Sequence, residues 1–248
     1  ADSDPNSGGS FGLGKTVYAK SSLINTVIYH STFEPTKSSR GVNRRLMVSG
    51  IFPKHTYNEV TYGGFAYHGV EESLGSNTVA PFSNDAAAEK WEKISDLFKT
   101  DAKRNDDEHG TDILILMSNV DLEMIKKAVE DYYFPAVING SVNIKFVDKD
   151  GSVSFPRPLD REDLDQFVRL MKDAQKTKDE KSDKREIASF QKFKGNNLGR
   201  FAYELAETDE AASTKNNCVA IMRGTGMIIN YVKLGSEQYE PAVGAFVA

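Results

Sequence analysis

Two rhythms of apolar residues alternate along the chain. Thr26–Phe33 (TVIYHSTF), Leu46–Phe52 and Glu59–Tyr67 are rich in β-branched and aromatic residues, and the pattern predicts strands there. The third segment reads as one strand or two, broken at Gly63-Gly64. Asp112–Met117 (DILILM) is a short apolar run of the kind found in buried strands. Helical spacing takes over at Trp91, Ile94, Leu97 and Phe98, predicting a helix from about Asp85 to Phe98, capped by Ser83 or Asn84. A further helix is expected behind Asp121, with Met124, Ile125, Ala128, Val129, Tyr132 and Tyr133 on one face as core or domain interface. Pro135 should end or kink it. Another follows Asp160 as its cap, carrying Leu164, Phe167, Val168 and Met171 inward. Lys15 to about Asn25 also reads as helix.

The connecting segments are polar. Ser38–Arg45 is a basic loop and Thr100–Gly110 a charged one. Asp148-Lys149-Asp150-Gly151 joins two short strands, Ser141–Val147 and Ser152–Phe155, as a hairpin turn. Lys172–Glu186 is almost devoid of apolar residues and reads as a solvated helix extension or a linker. Leu198–Leu205, Cys218–Arg223, Met227–Leu234 and Val243–Val247 read as strands. The sum is an α/β chain in two parts, residues 1–120 and 121–248, divided near 118–121.

Composition narrows the function classes. At 248 residues the chain can bury a substantial core, and 39% hydrophobic with 27% charged residues is ordinary for a globular protein. No stretch approaches the roughly 18 apolar residues of a transmembrane helix, so no membrane partner is expected. Ala1–Gly9 is too polar for a secretory signal. Thirty-one Lys and Arg against 36 Asp and Glu give a net charge of −5, and no electrostatic reason to expect nucleic-acid binding. Cys218 is the only cysteine, in an apolar strand, which suits an inert core position and a cytoplasmic setting. His30, His55, His68 and His109 show no metal-ligand spacing.

The chemistry-bearing motif is Gly9-Ser10-Phe11-Gly12-Leu13-Gly14-Lys15-Thr16. Glycines let a backbone wrap phosphates, and the amides of a following helix supply positive partial charge. Letter for letter the motif fits the P-loop pattern, in which Lys15 reaches the β/γ-phosphates and Thr16 ligates Mg²⁺. That pattern demands an apolar strand immediately before it, and the sequence ADSDPNSG is not one. A third reading makes the glycines a tether on a non-catalytic interaction module.

The same stretch, GGSFGLGK followed by a helix and a strand, resembles the ATP lid of the GHKL superfamily: gyrase B, Hsp90, histidine kinases, MutL and MORC proteins. Downstream, Gly110-Thr111-Asp112-Ile113-Leu114-Ile115-Leu116 resembles the Gly-Thr strand that closes the sheet of that domain. FGLGK, GTDILIL, YYFPAVINGSV and the terminal VGAFVA resemble the later part of bacterial Hsp90-like ATP-binding proteins over nearly the whole chain. The resemblance implies that ATP and Mg²⁺ are the ligands, with phosphates held by Gly9–Thr16 and Thr111 near adenine. It implies the C-terminal half of the ATP-binding domain in residues 1–120, and a transducer-like α/β domain in 121–248. In that superfamily the metal-binding Asn, the general-base Glu and the Asp-x-Gly-x-Gly adenine loop precede the lid. Residues 1–8 hold none of these, so the chain is expected to be a fragment whose partners are nucleotide, a missing upstream segment or a second copy.

Overall fold

A computed structural model describes residues 14–37, 39–73, 78–99, 107–176, 178–182, 184–191, 197–205, 215, 217–235 and 241–248. The fold is mixed α and β, in two compact units that divide between Val120 and Asp121.

The N-terminal unit opens with α1 (Gly14–Lys20), β1 (Thr26–Thr32) and β2 (Arg44–Ile51). Then come β3 (His55–Tyr57), β4 (Val60–Tyr62), β5 (Phe65–His68), β6 (Val70–Glu71), β7 (Val79–Ala80) and β8 (Phe82–Ser83). It closes with α2 (Asn84–Phe98) and β9 (Gly110–Ile115). The main sheet runs β5-β2-β1-β9, antiparallel throughout, with β8 also on β2. Strand alternation sorts β1 into two faces. Ile28, His30 and Thr32 point towards α2, where Ile28, Leu46, Ala87 and Trp91 form the core. Val27, Tyr29 and Ser31 share the other face, on which Tyr18 of α1 meets Tyr29 edge-on, with ring centroids 6.3 Å apart.

Several expectations shift. α1 stops at Lys20 rather than Asn25 because the backbone leaves for the sheet. Leu23 N–H donates to Met117 O, while Ser22 Oγ donates to Leu116 O and accepts from Thr26 N–H. Local serine bonds of this kind compete with a helix. Arg44 and Arg45 belong to β2 rather than a loop, and Arg45 lies over the Phe33 ring. β9 is a half-exposed edge strand rather than a buried one, because nothing described pairs with its outer side.

The C-terminal unit starts with α3 (Leu122–Ile138), the small hairpin of β10 (Phe146–Val147) and β11 (Val153–Ser154), and α4 (Glu162–Ala174). Its sheet comprises β12 (Glu180–Lys181), β13 (Arg185–Gln191), β14 (Asn197–Leu205), β15 (Cys218–Met222), β16 (Ile228–Lys233) and β17 (Ala242–Val247). The order is β12-β13-β14-β17-β15-β16, with β15 and β17 parallel and every other pair antiparallel. Ile187, Ala202, Ala245, Ala220 and Tyr231 stand in register across five strands. The three alanines leave room for α4, whose Leu164, Phe167, Leu170 and Met171 fill the core above them.

Three readings change here. Asp160 sits in a 3₁₀ turn (Pro158–Asp160), and Arg161 takes the cap position of α4. The charged run 172–186 is no linker. It holds the end of α4, β12 and the start of β13, and the largely buried Asp173 carboxylate accepts from the Arg185 guanidinium. The apolar face expected of α3 is not core: Met124 is 69% exposed and Tyr132 40%, and burial falls instead on Phe134, Pro135 and Ala136.

Pro135 does not end α3, which continues to Ile138. Proline has no N–H to give the carbonyl four residues earlier, here Asp131. The Tyr231 hydroxyl donates to that carbonyl instead, and Ala136 N–H donates out of the helix to Gly226 O. Gly226 has φ +81° and lies so close that an added Cβ would sit 3.1 Å from Ala136 Cβ. Tyr231→Phe should therefore cost about 1–3 kcal/mol of stability by leaving the carbonyl unpaired. The cost should shrink in a Pro135→Ala background, where the restored N–H replaces the hydroxyl. Urea unfolding of the two single variants and the double variant measures this coupling.

Candidate functional site

Gly9, Ser10, Phe11, Gly12 and Leu13 lie outside the described residues. Gly14, Lys15 and Thr16 form the first turn of α1. That turn carries no acidic residue, so no carboxylate of its own offsets the positive partial charge of the helix N-terminus.

The position of α1 on the sheet matters more than its length. The chain reverses at Ser21–Asn25, with Asn25 at φ 50°, and Ser22 and Leu23 are tied to Leu116 and Met117 beyond the end of β9. α1 packs on β1 through Tyr18 and Tyr29, on the face that also holds Ser31 and Thr111. Those two residues are register partners, with Ser31 Oγ and Thr111 Oγ1 3.0 Å apart. Thr111 is exposed. α1, which opens with Gly14–Thr16, and Thr111 thus lie on one face of one sheet.

The opposite face holds a pair that no local spacing announces. His30, fully buried, donates from Nδ1 to Asp112 Oδ2 at 3.0 Å, and its ring stacks on Trp91 at 4.6 Å and 9°. Beside it, Thr32 Oγ1 donates to Glu108 O. These contacts lock β9 against β1 and fix which way Thr111 faces. The only sequence signal was the alternation of TVIYHSTF, which separates His30 from Ser31.

In the C-terminal unit an open polar cleft of about 640 Å³ is bordered by Glu123, Lys126, Lys127, Glu130, Arg161 and Asp163. Arg161 pairs with Glu130, Asp131 and Asp163, and Lys215 with Asp131 and Asp163. Arg161 holds the Asp163 carboxyl down to about 2, and its own pKa is raised in turn. This network joins α3 to α4, and its charges are spent on one another. Burial pushes the Cys218 thiol up to about 11, as an inert core cysteine requires. Among the described residues no group of three His, Cys, Asp or Glu could hold a metal ion, and no helix is long and apolar enough to cross a membrane.

The lowered carboxyl makes a signed prediction. Asp163 contributes stability that is complete above its ordinary value of 3.8 and is lost as pH falls through about 2. The stability gap between the native protein and Asp163→Asn should stay constant from neutral pH to about 5, then close towards pH 2. Urea midpoints across that range report it.

No protein-family model, curated protein or solved structure matches this chain.

Proposed function

We propose that residues 1–120 form the phosphate-lid half of a GHKL-type ATP-binding domain, and that residues 121–248 act as its transducer, coupling nucleotide binding to conformational change. One observation carries the reading: β1, the strand after α1, lies directly beside the Gly110-Thr111 strand, with Thr111 on the face that α1 covers. The lid-then-helix-then-strand order and the Gly-Thr strand were separate resemblances, and this pairing gives them one surface.

In this reading the Gly9–Gly14 backbone wraps the phosphates. The amides of Gly14, Lys15 and Thr16 face them, and the Lys15 ammonium neutralises charge. Thr111 borders the adenine. The Gly9–Thr16 and Thr111 surface contributes binding and orientation, and hydrolysis depends on groups for Mg²⁺ and the attacking water that this surface does not itself include. The P-loop alternative draws no support from the sheet, in which every described strand pair of this unit is antiparallel.

The test is titration of a fluorescent ATP analogue with Mg²⁺. It compares this chain with a version carrying any sequence encoded upstream of Ala1. Binding is expected in the longer version, weakened about tenfold or more by Lys15→Ala, a loss near 1.4 kcal/mol. Thr111→Val should weaken it further without changing the thermal midpoint. Affinity unchanged by Lys15→Ala and by deletion of residues 9–13 would overturn the proposal. Tight binding by the short chain alone, lost on Lys15→Ala, would favour the P-loop.

A further inference from the structure

β5 ends the main sheet of the N-terminal unit, and no described strand pairs with its outer side. Its four residues, Phe65–His68, are all exposed, with Phe65 at 69% and Tyr67 at 56%. The β2–β5 ladder runs on into the β3–β4 hairpin through Phe52 N–H, which donates to Gly64 O at 2.7 Å. The outer edges of β4 and β5 therefore follow one another. Tyr57, Tyr62 and Phe52 add further exposed aromatic surface along this ribbon.

An uncovered strand edge is a template for pairing, and proteins ordinarily guard it with charge. The two ends of the C-terminal sheet are guarded: β12 is Glu180-Lys181, and β16 ends at Lys233. From Val60 to Val70 there is no Asp, Glu, Lys or Arg. We infer that the β4–β5 edge pairs with the same edge of a second copy of this chain, two-fold and antiparallel, joining two main sheets into one.

Two properties select a second copy. An edge without cations offers nothing to phosphates, and an edge without charge of either sign matches another uncharged edge, which the chain itself supplies. A two-fold antiparallel pairing centred on Ala66 also sets Phe65 of each copy against Tyr67 of the other, with no like charges opposed. Tyr62 on β4 and Phe65 and Tyr67 on β5 add exposed aromatic surface at the seam. The inference rests on this edge alone and is independent of the nucleotide reading.

Sedimentation velocity of the full chain from 1 to 100 μM (on the order of a weak interface's Kd range) should show monomer converting to dimer. Phe65→Lys and Tyr67→Lys, both on exposed side chains, should each shift the midpoint at least tenfold towards monomer, with circular dichroism unchanged. Hydrogen exchange of the unaltered chain supplies a readout that needs no variant. Amides of 65–68 should gain protection with concentration, while those of β9 should not. A wild type that stays monomeric throughout, a dimer that survives both lysines, or 65–68 exchange independent of concentration would each overturn the inference.

Discussion

Burial of β1 on both faces and both edges is the constraint on which the N-terminal unit depends. Val27 and His30 are fully buried on opposite sides, and β2 and β9 take the strand's backbone groups. A slip of one residue would exchange the two side-chain sets. Ile28 and His30 would turn towards α1, and Ser31 and Thr111 would no longer meet on α1's face. The buried histidine fixes this register more firmly than apolar packing could. A hydrogen-bonded ring stacked on Trp91 has one position, whereas valine and isoleucine exchange at little cost.

Much of this was legible in the sequence, for reasons that differ by element. The strands at 26–32, 46–51 and 218–222 announced themselves as runs of β-branched, aromatic and other apolar residues. α4 was equally plain, since it buries one stripe against a sheet. β13 was not. Arg185-Glu186 opens it, and the charges that hide it from view pair sideways, Arg185 with Asp173 and Glu186 with Lys181. The apolar stripe of α3 misled only as a sign of core, because hydrophobic spacing says a face can be buried and not where. The candidate site was half legible. The glycine-rich stretch and Gly110-Thr111 stand out as motifs, but their sharing of a face follows from a strand register 80 residues long in sequence separation, as does the His30–Asp112 pair.

The two units solve the problem of helix on sheet differently. In the C-terminal unit the sheet gives way: Ala202, Ala220 and Ala245 shrink to admit the large side chains of α4. In the N-terminal unit the helix does, and Ala87 of α2 sits fully buried beside Trp91 and His30. Small residues mark where two elements approach closely, and in both units they lie beneath the largest side chains. Polar groups follow the same economy. Arg161 and Lys215 satisfy three carboxylates between α3 and α4, so most of the charge lining that cleft is paired within it.

The proline in α3 also imposes an order on biosynthesis. The Asp131 carbonyl is met by a hydroxyl 100 residues further along the chain, and the Ala136 amide by a carbonyl nearly as distant. As the chain leaves the ribosome, α3 emerges well before β16, so its last turns stay open to water until β16 is made. Docking of that late strand completes a helix synthesised early, which ties both ends of the C-terminal unit into a single folding step. A chain terminated before residue 231 loses a strand and leaves a helix unfinished.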